Sequence, residues 1–383
     1  MKVTIVHGSN DTYGASRVLL QEVDSLLALG HSVHVLVPNG GPLQREIDAR
    51  GSGVQLTIEP KLLVLRRSNW KDSLKFPGLP SAMKEADVVV VWTLGMAGYI
   101  PLLRLARKKF YVSVHELLED NRARTVFKHL LKGAFPVTAC SRAAADWLTS
   151  LGVTPSRITV TYPVLPDGPS DRDTNPCREG RSGTFTVAVY GRLNGSKGHL
   201  EVAQAFQEPC MGDPSWRLIL AGAPFPGQEN ALDDVLRLVD KDPRISYIGE
   251  VASLLELTAD LDLVALFPKK PESFGLVPVE AWSYGIRSIG YALGGAAEVL
   301  PLVGGAVVPN NSPEVPNIAH ALIAMREDWG NLQGLPESDQ VRPRLSFQNR
   351  VAQVSSVLAM FDPLMAGRGI EQTNLPATSS DPS

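Results

Sequence analysis

The chain lacks what several whole classes of protein require. Its 383 residues hold only three cysteines, Cys140, Cys177 and Cys210, widely spaced and never in a CxxC pair. An odd, scattered set of this kind builds neither a disulfide framework nor a zinc site. No run approaches the ~18 consecutive apolar residues of a membrane span; the longest strand-like stretch, Val88 to Trp92, is far too short. Lys2 leads directly into the short apolar run Val3 to Val6, so no signal peptide is expected and a cytoplasmic compartment is. Net charge is also nearly absent: 37 basic against 40 acidic residues leave −3, which gives no reason to expect a nucleic-acid partner. The sum conceals an asymmetry. Residues 1–165 carry 20 Lys+Arg and 13 Asp+Glu, net +7, whereas the remainder carries 17 and 27, net −10.

What is present reads as a soluble globular protein, with 44% hydrophobic and 20% charged residues in a chain long enough for two or three domains. Short β-branched runs at 2–6, 31–37, 87–92, 110–114, 137–139 and 158–161 read as strands with helical patterns between most of them. Residues 166–183, rich in proline, glycine and mixed charge, have a linker's composition. The alternation then restarts, with strands expected at 185–190, 216–221, 245–248, 261–267, 286–291 and 305–308. The expected organisation is a first α/β domain over 1–165, the linker, a second α/β domain over 184–345, a helix within 346–366 and a disordered tail over 367–383. Alternation of this kind predicts two doubly wound parallel sheets facing each other across a cleft. Such sheets bind ligands at the carboxyl ends of their strands.

Two loops at those ends carry the chemistry. The stretch Gly191-Arg192-Leu193-Asn194-Gly195-Ser196-Lys197-Gly198 joins a strand to a helix. Its glycines admit a ligand close to the backbone, and Arg192 with Lys197 supplies two cations beside a helix start, a combination suited to a diphosphate. Neither a P-loop nor GxGxxG can be drawn through it, and an ordinary glycine-rich turn with two solvated cations would look the same. The second loop, Glu272-Ser273-Phe274-Gly275-Leu276, opens a helix that carries Glu280 about a turn in. Carboxylates so placed accept hydrogen bonds from paired sugar hydroxyls, although two glutamates eight positions apart are also common on solvated helices. His115 with Glu116, and the turn Gly294-Gly295-Ala296-Ala297-Glu298, should reach the same cleft; a lone histidine is often structural. Asp260-Leu261-Asp262 imitates a Mg²⁺-binding DxD, but Asp262 opens its strand at the wrong end, so a capping role is expected. No Ser/His/Asp order or activated cysteine stands out.

The succession Gly-Arg-Leu…Lys-Gly, Glu-Ser-Phe-Gly-Leu-x-x-x-Glu and Gly-Gly-x-x-Glu, after Tyr13-Gly14-Ala15-Ser16-Arg17, resembles the retaining glycosyltransferases of family 4, the group 1 glycosyltransferases with the GT-B fold. The resemblance spans nearly the whole chain and is most specific at Glu272 to Glu280, the EX7E pattern. It implies two Rossmann-like domains, with Arg192 and Lys197 on the donor's diphosphate, Glu272 on the transferred sugar and Glu280 on the ribose. Amides of Ser273 to Leu276 would hold sugar and phosphate, Gly14 would let the first domain close, and His115 would flank the sugar and position the acceptor. The last helix would cross back to the first domain. The family usually has Gly-Gly where this chain has Tyr13-Gly14, and His-Asp where it has His115-Glu116.

Transfer of a hexosyl-type sugar from a nucleotide-sugar donor to a saccharide or lipid-linked acceptor follows, as in polysaccharide or glycoconjugate synthesis. No cofactor or metal is expected, since the cations and amides stabilise the departing diphosphate. Retention implies same-face attack with the donor phosphate taking the acceptor's proton, unlike the paired acids of glycoside hydrolases. A sugar-nucleotide epimerase of the same fold and a non-catalytic nucleotide-sugar-binding module are the alternatives. The basic first half has a reading of its own. Lys61, Arg66, Arg67, Lys71 and Lys75, interleaved with Leu62, Leu63, Leu65, Trp70 and Phe76, suit peripheral contact with an anionic inner membrane face. Arg104, Arg107, Lys108 and Lys109 form a second basic group, and a merely solvated basic face is the alternative for both.

Overall fold

The computed structural model describes residues 1–65, 78–165, 183–224, 229–251, 253–310, 314–332 and 334–361. The linker at 166–182, the tail at 367–383, Cys177 and the basic stretch at 66–76 lie outside the described residues.

The first domain alternates strands and helices from β1 (Lys2–His7) and α1 (Gly14–Ala28) through β2 (Ser32–Val37), α2 (Leu43–Asp48), β3 (Val54–Ile58) and α3 (Ser81–Glu85). It continues with β4 (Val88–Trp92), α4 (Ile100–Leu105), β5 (Lys109–Val114), α5 (Asn121–Leu130), β6 (Val137–Ala139), α6 (Arg142–Ser150) and β7 (Ile158–Val160). The seven strands pair in the order β3-β2-β1-β4-β5-β6-β7, all parallel. A central parallel strand is covered on both faces, and β4 (Val-Val-Val-Val-Trp) is buried at every position. Strand β3 escapes the periodicity reading. It lies at the sheet's edge with only Val54 buried, so it shows no apolar run.

The second domain comprises β8 (Phe185–Tyr190), α7 (His199–Ala205), β9 (Trp216–Ala221), α8 (Asn230–Val239), β10 (Ile245–Gly249) and β11 (Leu263–Leu266). Helix α9 (Leu276–Ser283), β12 (Arg287–Tyr291), α10 (Ala296–Leu302), β13 (Ala306–Val308), α11 (Glu314–Glu327) and α12 (Ser338–Leu345) complete it. Its six strands run β10-β9-β8-β11-β12-β13, the same doubly wound order as the first sheet without a seventh strand. Strand β11 is shorter than the apolar run 261–267 predicts; Asp262 stands just before its first residue, where its carboxylate accepts the Thr186 amide at 2.7 Å.

Helix α13 (Phe347–Ala359) leaves the second domain and packs on α1. Val354, Val357 and Leu358 are buried there with Val18, Leu19 and Val23. The apolar core of the first domain runs on through Phe274 into Val279, Trp282 and Val299, so the two sheets meet through packed side chains. Leu62 and Leu63 are part of that core, which corrects their placement on a membrane-facing surface. Among the described residues no helix is long and apolar enough to cross a membrane.

Candidate functional site

Both sheets turn the carboxyl ends of their strands toward the interface, and the loops that leave them meet there. Gly191 to Gly198 join β8 to α7. Gly198 caps α7 in the left-handed region at φ +86°, and any Cβ on it would collide with the Phe267 carbonyl, so the loop lies directly against the end of β11. That contact brings Lys197 to the second loop. Its Nζ donates to both carboxylate oxygens of Glu272, at 2.5 and 2.7 Å. The guanidinium of Arg192 lies 4.1 Å over the Tyr13 ring, from the first domain. Tyr13 donates its hydroxyl to Glu250, and burial and that carboxylate both raise its pKa.

Glu272 is followed by the turn that opens α9, with Gly275 as cap at φ +97°. The first amides of a helix have no partner within it, so those of Gly275 and Leu276 are available to an anion. Leu276 also closes on the first domain: a Cβ on Gly14 would lie 3.7 Å from its Cδ1. Phe274 is buried in the shared core, and the Ser273 carbonyl accepts the Ser141 hydroxyl at 2.5 Å. Glu280 is buried on α9, where burial raises its carboxyl pKa. Its Oε1 accepts the Leu254 amide at 3.4 Å, and its Oε2 stands 3.7 Å from Arg17 Nη1. Arg17 also hydrogen-bonds Tyr190, and a cavity of about 260 Å³ is lined by Arg17 and Glu280 with Gln21, Ser253 and Tyr284.

On the first domain, His115 directly follows β5, half-buried, its ring centroid 4.4 Å from that of Trp92 and its Nε2 2.9 Å from Ser113 Oγ. Glu116 turns inward instead of into the cleft. Its carboxylate accepts the Leu94 amide at 3.0 and 3.2 Å and the His115 amide at 3.0 Å. It also bonds the Thr93 side chain, whose backbone is held at φ +69°, a conformation unusual for a β-branched residue. Among the described residues no group of three or more His, Cys, Asp or Glu gathers as a metal site. Cys140 is buried with its thiol pushed up to about 12 by burial, so it is no nucleophile.

The cleft therefore assembles two cations, two carboxylates and a helix start on the second domain, covered by Tyr13, Gly14 and Arg17 of the first. Both halves match glycosyltransferase families. Residues 12–165 match the model of Glycosyltransferase Family 4, and residues 184–328 that of Glycosyl transferases group 1. No curated protein sequence matches. Among solved structures, HepE from Anabaena in complex with UDP and glucose has a TM-score of 0.69 at 20% identity, covering 96% of this chain and 100% of that one. The lipopolysaccharide outer core galactosyltransferase WaaB has a TM-score of 0.64 at 12% identity, covering 94% and 100%. Sucrose-phosphate synthase from Thermosynechococcus elongatus scores 0.63 at 15% identity, covering 95% and 98%. These likenesses give the fold, two Rossmann-like domains in the GT-B arrangement.

Gly14, Arg192, Lys197, the Glu272–Leu276 turn and Glu280 thus meet along one interface, whereas Gly191 bonds Ala221 within the second domain and His115 makes its contacts with Ser113 and Trp92 within the first. Sequence reasoning assigned no role to Arg17, Tyr190, Glu250 or Ser141. The signal for Ser141 was present, since a serine before Arg-Ala-Ala-Ala is a helix cap, and its hydroxyl accepts the Ala144 amide at 3.0 Å. Arg17 gave only its place in the first-domain motif.

Titration of the site has a readable sign. Burial holds His7 at about 4, His115 at about 3 and His199 at about 4, and lowers His31 and His34 as well. Unfolding returns them toward 6.5, so below that pH the unfolded chain binds protons that the folded chain refuses. Glu116, raised by burial from 4.5 to about 7, and Glu280, raised in the same direction, act oppositely. Five histidines outweigh two carboxyls. Stability is expected to fall between pH 6.5 and 4.5, and a urea midpoint at pH 5 equal to that at pH 7.5 would contradict this.

Proposed function

We propose that the protein is a retaining, metal-independent glycosyltransferase that moves a hexosyl group from a nucleoside-diphosphate sugar to a saccharide or lipid-linked acceptor. The observation that carries the reading is the bond between Lys197 and both oxygens of Glu272 at the mouth of α9. It puts a phosphate-binding cation and a hydroxyl-binding carboxylate side by side, as a sugar joined to a diphosphate requires. Arg192, Lys197 and the amides of the α9 start stabilise charge that grows on the departing diphosphate, where fixed dipoles and cations count most. Glu272 holds hydroxyls of the transferred sugar, Glu280 the ribose, and His115, neutral at working pH, donates or accepts a hydrogen bond beside the sugar. The acceptor's proton passes to the donor phosphate.

Support for a uridine donor comes from one neighbour, HepE, whose structures hold UDP with glucose and UDP-glucose. Thermal-shift screening with UDP-, GDP- and ADP-sugars tests it: a donor at 100 times its Kd stabilises the native state by about 2.7 kcal/mol. One nucleotide series is expected to raise Tm, unchanged by EDTA; no response to any of them would overturn the reading. A lipid-linked acceptor would bring the exposed Arg104, Leu105, Arg107 and Lys109 against an anionic inner leaflet. Salt-sensitive binding to anionic vesicles, absent with neutral ones, is the expected signature.

A further inference from the structure

Glu298 lies in the first turn of α10, its side chain only 14% exposed, and the three contacts of its carboxylate all reach the first domain. It accepts the Arg142 amide at 3.0 Å, faces Arg142 Nε at 3.7 Å and accepts the Tyr162 hydroxyl in a short bond. Tyr162 is in turn fixed by α13: its amide donates to Gln353 Oε1 at 3.1 Å, and its carbonyl accepts Arg350 Nη1 at 2.9 Å. Burial and Glu298 push its hydroxyl up to about 12, so it stays a donor at any working pH. Its ring centroid stands 6.3 Å from that of Phe274, in the turn that carries Glu272.

The other end of the arrangement is just as tightly joined. The Gly295 amide donates to the Glu272 carbonyl at 2.6 Å, and a Cβ on Gly295 would stand 2.5 Å from Phe274 Cα. Helix α10 therefore cannot shift without moving the Glu272–Leu276 turn. A separate bond ties that turn to the first domain, from Ser141 Oγ to the Ser273 carbonyl.

We propose that Tyr162 and Glu298 form an interdomain latch that sets how far the domains close and so positions Glu272 and the α9 amides for transfer. Both are positioning residues that touch no substrate, and the proposal rests on the transferase reading above. Tyr162, Gln353 and Arg350 bring α13 into the same unit, so the returning helix acts on the site through one tyrosine.

The test uses the full chain as Tyr162→Phe, Glu298→Ala and the double variant. Each single change is expected to lower kcat about tenfold with donor KM altered less than about twofold and Tm close to wild type. The double variant is expected to fall no further than Glu298→Ala alone, because the hydroxyl acts only through that carboxylate. Ligand-free small-angle scattering should show a larger radius of gyration for every variant. Wild-type kcat in Tyr162→Phe, or additive losses in the double variant, would overturn the latch. If the wild type turns over no nucleotide sugar, the transferase reading fails separately, and an unchanged radius of gyration then overturns the latch by itself.

Discussion

Lys197→Ala is expected to lower kcat about a hundred- to thousandfold while leaving the fold intact, the usual loss when one group facing developing charge is removed. The ammonium is 28% exposed and bonded to a carboxylate that is 14% exposed, so its removal costs stability only modestly. Its expected catalytic weight is far larger, because negative charge builds on a departing diphosphate as the bond breaks and a cation facing it stabilises the transition state more than the bound donor. Lys197 and Glu272 are bonded to each other in the structure; on the proposed reading a donor would engage Lys197 through its phosphates and Glu272 through its sugar, so one ion pair would separate into two ligand contacts. Arg192→Ala removes the second cation together with the stacking contact on Tyr13, and the double variant is expected to show no measurable transfer. Arg192→Lys should not restore activity, since a point charge replaces a planar fork. Initial rates alongside thermal melts decide the matter: near-normal kcat in Lys197→Ala would remove the phosphate assignment.

The largest stability effect is expected at Arg350, which is 1% exposed on α13. Its Nη2 donates to Glu22 Oε2 at 2.6 Å, and Tyr111 donates to the other oxygen at 2.5 Å. Arg350→Met leaves the Glu22 carboxylate buried without a cation, a loss of about 3–5 kcal/mol in comparable cases. The damage comes chiefly from the stranded charge, so adding Glu22→Gln is expected to recover part of it. Denaturant midpoints of the two variants check this, and a double variant less stable than Arg350→Met would contradict it. The same change frees the Tyr162 carbonyl, so transfer should weaken even where the protein remains folded.

How much of this was legible in the sequence depends on distance along the chain. Buried parallel strands such as β4 and β8 announce themselves as apolar β-branched runs, and Gly198 and Gly275 mark helix starts within the loops they serve. Strand β3 did not, because an edge strand with one buried residue carries no pattern. The pairing of Lys197 with Glu272 joins residues 75 positions apart, and that of Tyr162 with Glu298 spans 136. Motifs brought the first pair to attention separately, as anion and sugar ligands; their direct bond depends on how the Gly198 turn packs against β11. Arg17 and Glu280 come from different domains, and no local pattern encodes the contact. Leu62 and Leu63 gave the opposite error: beside basic residues they resemble a membrane-facing surface, yet burial in the core is the stronger claim on an apolar side chain.

The central claim is that this cleft holds a nucleoside diphosphate through Arg192 and Lys197. Calorimetric titration of UDP, GDP and ADP into the wild-type chain and into the Arg192→Ala/Lys197→Ala variant tests it most directly. One nucleotide should bind the wild type and lose about a hundredfold in affinity in the variant, the loss of two charge-assisted contacts. Equal affinity in the two proteins, or no binding of any nucleotide to the wild type, would contradict it.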